Sequence, residues 1–170
     1  NTHFYAVLGN HDYMGHSANP ETTNRLRDEI VDLYNEVGAN LLLNRSEYLH
    51  RNGDSIVLAG VENWGVPPFP PYGDVDKALE GKPTDSIFTV LLSHDPSHWE
   101  NKVKTKVPVD LTLSGHTHGM QYVFKLGKFK WSPVSLKYRY WSGLYKEGNQ
   151  FLNVSTGLGF IAFPGRVGVP

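Results

Sequence analysis

Residues 109–119, VDLTLSGHTHG, read as a short apolar strand, Val109 to Leu113, that runs straight into a polar turn bearing two histidines, Ser114-Gly115-His116-Thr117-His118-Gly119. Apolar runs this short, bounded by turn residues, suit a central strand covered on both faces. The same design occurs twice more. Ile87 to Leu92 (IFTVLL) ends in Ser93-His94-Asp95-Pro96, and His3 to Leu8 (HFYAVL) ends in Gly9-Asn10-His11-Asp12. Three strands therefore end in polar turns that contain histidine.

Working outward, Asn19-Pro20-Glu21 opens a helix, with Asn as N-cap and Pro at the first helical position. Leu26, Ile30, Leu33, Tyr34 and Val37 recur at helical spacing, and Gly38 stops it. Ala39 to Leu43 is a further strand. Tyr48 to His50 and Ser55 to Val61 flank Asn52-Gly53-Asp54, a hairpin signal. Trp64 to Gly73 (WGVPPFPPYG) is rich in Pro and Gly and reads as a loop whose aromatics could shape a pocket rim. Strand candidates follow at Gln121 to Phe124 and Phe151 to Ser155, separated by an aromatic-rich stretch from Trp131 to Tyr145. Strands joined by helical connections predict an α/β sheet domain, in which ligands gather beyond the carboxyl ends of the strands.

At that edge the sequence offers Asn10, His94, His116 and His118, neutral nitrogen and oxygen donors of the kind that suit Zn, Mn or Fe. His116 and His118 are two apart. In an extended loop that spacing sends both imidazoles to one side, and the flanking glycines let the backbone come close. Asp95 reads as the N-cap of a helix with Pro96 at its first position, or as an outer partner of His94. His3, His16, His50 and His98 read as structural or exposed. Arg166 reads as structural, and Trp131, Tyr138, Tyr140, Trp141 and Tyr145 as core packing or a lip at a site.

With 170 residues, the chain is long enough for one domain with a real core. A hydrophobic fraction of 39% and twenty-one aromatics exclude disorder. The net charge is -1, with basic and acidic residues both occurring along the chain, so neither nucleic acid nor an anionic surface is an expected partner. The absence of cysteine excludes disulfides and thiolate ligands. No apolar run approaches the ~18 to 20 residues of a membrane span.

The three motifs, in this order and each after a strand, closely resemble those of the calcineurin-like metallophosphoesterases. Gln121, Gly157-Leu158-Gly159 and Phe163 to Pro170 (FPGRVGVP) look most like the bacterial subgroup of short, often membrane-tethered members. The resemblance implies an α/β, four-layer αββα sandwich, here partial, with a dinuclear centre of Mn, Fe or Zn at the sheet ends. It implies Asn10, His94 and His116 as ligands of one ion and His118 as a ligand of the other. It implies His11 facing the substrate, to stabilise the phosphoryl charge or protonate the leaving oxygen, with Asp12 orienting it. The reaction so implied is hydrolysis of a phosphomonoester, phosphodiester or pyrophosphate by attack of a metal-bound hydroxide on phosphorus. The substrate would be a phosphorylated small molecule or lipid.

The departures also carry expectations. The family's Asp-x-His and Gly-Asp-x-x-Asp segments, which precede Gly-Asn-His-Asp and supply the bridging carboxylate, are absent. The chain starts at Asn1-Thr2-His3 without an initiator Met, and Met120 stands where a Gly is common. Residues 1–170 are therefore expected to be a single domain truncated at its N-terminus and shortly before its natural C-terminus. By itself it would hold at most one ion weakly and be inactive, with any membrane tether lying in the preceding segment. The alternative is a non-catalytic metal- or ligand-binding domain on the same fold. The intact Asn10, His11, His94, His116 and His118 count against it.

Overall fold

The two apolar runs that precede the His94 and His116 turns become adjacent parallel strands, the first largely buried on both faces and the second with Leu113 exposed, against the expected cover on both faces. The computed structural model describes residues 4–13, 20–69, 71–127, 129–161 and 164–169. In chain order its elements are β1 (Phe4–Ala6), a 3-10 turn (Asn10–Tyr13), α1 (Pro20–Glu36), β2 (Ala39–Leu41), β3 (Arg45–Arg51) and β4 (Asp54–Gly60). There follow α2 (Val75–Ala78), β5 (Thr89–Leu92), α3 (Pro96–His98), β6 (Leu111–Ser114) and a second 3-10 turn (His118–Gln121). The chain ends in β7 (Phe124–Leu126), β8 (Phe129–Trp131), β9 (Gly143–Glu147) and β10 (Gln150–Val154).

Six strands form one sheet in the order β3-β4-β5-β6-β10-β9. Its four inner strands are parallel, and β3 and β9 close the two edges antiparallel. β1 pairs with β2 in a separate parallel sheet, so the first of the three His-bearing turns arrives from a different layer than the other two. The period-2 alternation of β4 shows how the layers stack. Val57, Ala59 and Val61 meet Leu91, Trp99 and Leu152 on one face. Leu58 turns to the other face, against Leu42, Val90, Tyr5 and Val7 of the smaller sheet and its flanks. Outside that sheet, Ile30, Val31 and Tyr34 of α1 cover Leu8, Tyr13 and Leu41. The result is helix, small sheet, large sheet, helices: the α/β, four-layer arrangement expected. Each fully buried aliphatic side chain here contributes about 1.5–3 kcal/mol.

The sheets touch closely at Gly60, where a Cβ would lie 2.7 Å from Cγ1 of Val7 and still nearer the Leu42 side chain. The Asn52-Gly53 hairpin forms as predicted, with φ of 53° and 88°, the left-handed pair that a two-residue turn between twisted strands requires.

Several expectations are corrected. On α1, Leu33 and Val37 are exposed, because Ile30, Val31 and Tyr34 carry the packed stripe. Gln121 is not in a strand: it closes the 3-10 turn, and the strand begins at Phe124. Tyr138, Tyr140 and Trp141 are buried and pack in the interior instead of forming a lip, with the Tyr138 hydroxyl turned to His116, while Trp131 stays exposed. Arg166 clamps backbone, donating from its guanidinium to the Gly159 carbonyl at 2.6 Å and the Thr156 carbonyl at 3.2 Å. The Asn19 cap, His3, His16, Phe163 and Pro170 lie outside the described residues.

Candidate metal centre

Asn10 begins the 3-10 turn that follows β1. The turn is tied at its base, where the Gly9 N–H donates to Asp12 Oδ2 at 2.7 Å and the Asp12 N–H donates to the Gly9 carbonyl at 3.2 Å. Tyr13 anchors it to the large sheet, with its hydroxyl donating to Glu62 at 3.2 Å and accepting from the Asn63 N–H at 3.3 Å. Asp12 is thus engaged by its own turn, and burial raises its pKa. His11 is exposed and acts electrostatically on Asp12, His94, His116 and His118.

β5 delivers His94 and β6 delivers His116. Their loops are coupled by hydrogen bonds from the Ser93 N–H to the Leu113 carbonyl and from the Gly115 N–H to the His94 carbonyl, 3.0 and 2.9 Å. Three side-chain atoms from three loops then converge. Asn10 Oδ1 is 3.0 Å from His94 Nε2 and 2.9 Å from His116 Nδ1, and the two ring nitrogens are 3.3 Å apart.

Three mutually touching atoms cannot all be paired as ordinary donors and acceptors. On its far side, His116 Nε2 meets the Tyr138 hydroxyl at 2.8 Å and Asp95 Oδ2 at 3.5 Å. The Tyr138 hydroxyl in turn donates to Asp95 Oδ2 at 3.4 Å. A buried carboxylate at the end of that chain calls for a proton on Nε2, which leaves a lone pair on Nδ1 facing Asn10 Oδ1. Turning the Asn10 amide over would satisfy the cluster with its NH2 group; otherwise a cation is needed there. The spacing fits a cation: donors about 2.1 Å from an ion lie ~3.0 Å apart at right angles and ~3.4 Å apart at tetrahedral angles. Burial pushes His94 and His116 down to about 4, with His116 adding to it at His94 and Lys137 adding to it at His116, so both rings are neutral near pH 7 as ligation requires. Among the described residues no group of three or more His, Cys, Asp or Glu converges, the third donor here being an amide.

His118 stands apart from this triangle. Its ring is hydrogen-bonded to the Gly159 backbone, while Nδ1 is buried without a hydrogen-bond partner. An orphaned buried nitrogen fits a ligand role.

The double-His loop is not extended. His116 and His118 both have left-handed backbone, φ of 65° and 50°, separated by helical Thr117. Such non-glycine residues cost of order 1–2 kcal/mol each. The loop is held by Thr117, whose hydroxyl donates to the Trp141 carbonyl at 2.7 Å. Gly115 needs no special freedom, since a Cβ there would meet nothing nearer than 4.0 Å. The glycine that matters is Gly9: a Cβ on it would fall 2.8–2.9 Å from three ring atoms of His94.

Asp95 fills both roles weighed for it, with a change of partner. Oδ1 accepts from the Ser97 N–H at 2.8 Å, capping α3, and Oδ2 serves His116 instead of His94. His98 is structural, buried with Nδ1 2.9 Å from the Ser93 hydroxyl. Sequence reasoning placed Phe69 in a loop whose aromatics shape a pocket rim and Tyr138 among aromatics of a core or lip, but missed that both meet His116, the Phe69 ring edge-on at 4.8 Å. Their only signals were membership of the aromatic stretch and of the Pro-rich loop.

The calcineurin-like phosphoesterase profile matches residues 1–120. An uncharacterized metallophosphoesterase of Helicobacter pylori (strain J99) is 36% identical over 170 residues, covering 98% of this chain and 40% of that protein. A bovine transmembrane protein with metallophosphoesterase domain is 28% identical over 169 residues, covering 96% of this chain and 36% of that protein. The chain thus spans well under half the length of these relatives. No solved structure matches it. Among the described residues no helix is long and apolar enough to cross a membrane.

Proposed function

This chain belongs to the calcineurin-like phosphoesterase family, and on that premise we propose that it carries part of the active site of a metal-dependent hydrolase acting on a phosphomonoester, phosphodiester or pyrophosphate. What supports the reading is the convergence of Asn10 Oδ1, His94 Nε2 and His116 Nδ1 within 3.3 Å, from three loops of two sheets.

In this proposal Asn10, His94 and His116 hold one divalent ion and His118 holds a second, both Mn, Fe or Zn. When bound, such ions supply positive charge against the phosphate oxygens and acidify water. The chain's own residues do the rest. Asp95 and Tyr138 fix the His116 ring with its lone pair inward. Gly9 leaves room for the His94 ring. Exposed His11 takes the substrate side, where it would hydrogen-bond a phosphoryl oxygen or pass a proton to the leaving oxygen. Asp12, bound to the Gly9 N–H, holds the turn from which His11 projects. A carboxylate that bridges two ions is not among these four donors, and the nearby Asp95 is engaged by Ser97 and Tyr138. Residues 1–170 alone are therefore proposed to hold one ion weakly and to turn over little or no substrate.

The test uses the natural protein and residues 1–170 side by side, each titrated with Mn2+ and Zn2+ and assayed on a chromogenic phosphodiester and phosphomonoester. The natural protein should hydrolyse at least one of them and lose activity in Asn10→Ala and His94→Ala. Metal-independent hydrolysis, or activity untouched by both substitutions, would overturn the proposal. Robust turnover by residues 1–170 would overturn the incomplete-site part of it.

A further inference from the structure

The β7–β8 hairpin is amphipathic with its polarity reversed. Phe124 pairs with Trp131, Lys125 with Lys130, and Leu126 with Phe129. Strand alternation therefore puts Phe124, Leu126, Phe129 and Trp131 on one face and the lysines on the other. The apolar face is the open one, with Phe124 47%, Leu126 70%, Phe129 58% and Trp131 39% exposed. On the opposite face Lys130 leans onto the body, its ammonium 4.8 Å from the ring centroid of buried Trp141 and 2.7 Å from the Ser142 hydroxyl. A hairpin made to face water would show its lysines and hide its aromatics.

The charge is divided in the same sense, which corrects the even mixing read from the sequence. Residues 1–110 carry nine Lys or Arg against sixteen Asp or Glu. Residues 111–170 carry seven Lys or Arg against one acidic residue, Glu147. Three of the seven, Lys125, Lys128 and Lys130, fall within the hairpin's six central positions. A near-neutral whole thus conceals a basic half, and the apolar face sits within it.

We propose that the β7–β8 hairpin docks the protein on an anionic lipid bilayer, with Leu126 and Phe129 entering the headgroup boundary, Trp131 at interfacial depth, and exposed Lys125 meeting lipid phosphates. Apolar area flanked by lysine is the combination that binds such surfaces, and long lysine stems reach headgroups while their methylenes stay in apolar surroundings. A second copy of the chain is the poorer occupant, because stacking two hairpins would bring two sets of lysines together. The inference does not depend on the proposed hydrolase activity. Because only two residues separate Gln121 from Phe124, it would hold the His118 loop close to the bilayer.

The experiment is co-sedimentation of the 170-residue chain with phosphatidylcholine vesicles and with vesicles containing about 30% phosphatidylglycerol. The docking surface predicts binding to the anionic vesicles only. Apparent affinity should fall about tenfold or more in Leu126→Ser/Phe129→Ser, by a similar factor in Lys125→Glu, and on raising the salt. Lys125, Leu126 and Phe129 are exposed beside the hairpin's turn, and circular dichroism melting should match the parent. Failure to bind anionic vesicles, equal binding to neutral ones, or binding unchanged by Leu126→Ser/Phe129→Ser would overturn the proposal. So would a concentration-dependent dimer abolished by that variant without vesicle binding.

Discussion

The Tyr138 hydroxyl lies 2.8 Å from Nε2 of His116, on the side of the ring opposite Asn10, and joins it to the buried Asp95 carboxylate. One imidazole is thereby held at both nitrogens, and its inward nitrogen is left as a lone pair.

Tyr138→Phe keeps the ring in its apolar cluster with Val123, Val134 and Trp141 and removes only the hydroxyl. Outer partners of ligating histidines are worth about 10–100-fold in metal affinity. Isothermal titration with Zn2+ should show a loss in that range with the fold intact. Unchanged affinity would mean that the hydroxyl does not position His116.

Gly9→Ala should displace the His94 ring, since the new methyl would sit 2.8–2.9 Å from it. Overpacking of this kind costs about 1–3 kcal/mol. Thermal unfolding should reveal a lowered Tm together with weakened metal binding. A variant with parental Tm and affinity would mean that the two loops part more easily than their contacts suggest.

Leu152→Ala in the centre of the large sheet should cost about 2–5 kcal/mol, because Leu152 is fully buried beneath the helical layer. Val37→Ala at the end of α1, where the side chain is 73% exposed, should change stability by no more than about 0.5 kcal/mol. Urea denaturation of the pair reads both.

His98 supplies a pH dependence from outside the proposed ligand set. Burial lowers it to about 4, with Lys102 adding to the effect and Asp74 opposing it. The unfolded chain, with an ordinary histidine, takes up this proton first as pH falls. The neutral ring's contribution is therefore complete above about pH 6.5 and is lost as pH drops through that value towards 4. In His98→Gln the fall of stability between pH 6.5 and 4 should be shallower by a few kcal/mol. An identical slope would mean that His98 is protonated in the fold without penalty.

Much of this architecture could be read from local patterns. Strand-then-turn signals marked Asn10, His94 and His116, because apolar runs and their polar ends are written in consecutive residues. The Asn52-Gly53 hairpin was legible for the same reason. Relationships across the chain were not. That β1 lies in a different sheet from β5 and β6 depends on which strands pair. That Asp95 serves His116 depends on the two loops meeting side by side. Tyr138 follows His116 by 22 residues with no motif to mark it. The left-handed backbone at His116 and His118 ran against expectation too, because neither residue favours it and only the surrounding bonds impose it. The hairpin's exposed face was hidden by composition, since Phe, Leu and Trp ordinarily signal interior.

Asn10 and His116 meet across 106 positions of sequence, the first turn of the chain touching a loop two-thirds of the way along. An ion gripped by both would act as a removable cross-link, closing nearly the whole chain between them into a ring. Nothing short of the complete fold offers that grip, so an ion with little affinity for the open chain stabilises the folded one in proportion to RT ln(1 + [L]/Kd). Midpoints of unfolding would then climb with the logarithm of free metal, and a chelator would lower them without touching any side chain. Metal supply would set how long the protein survives as well as how it works.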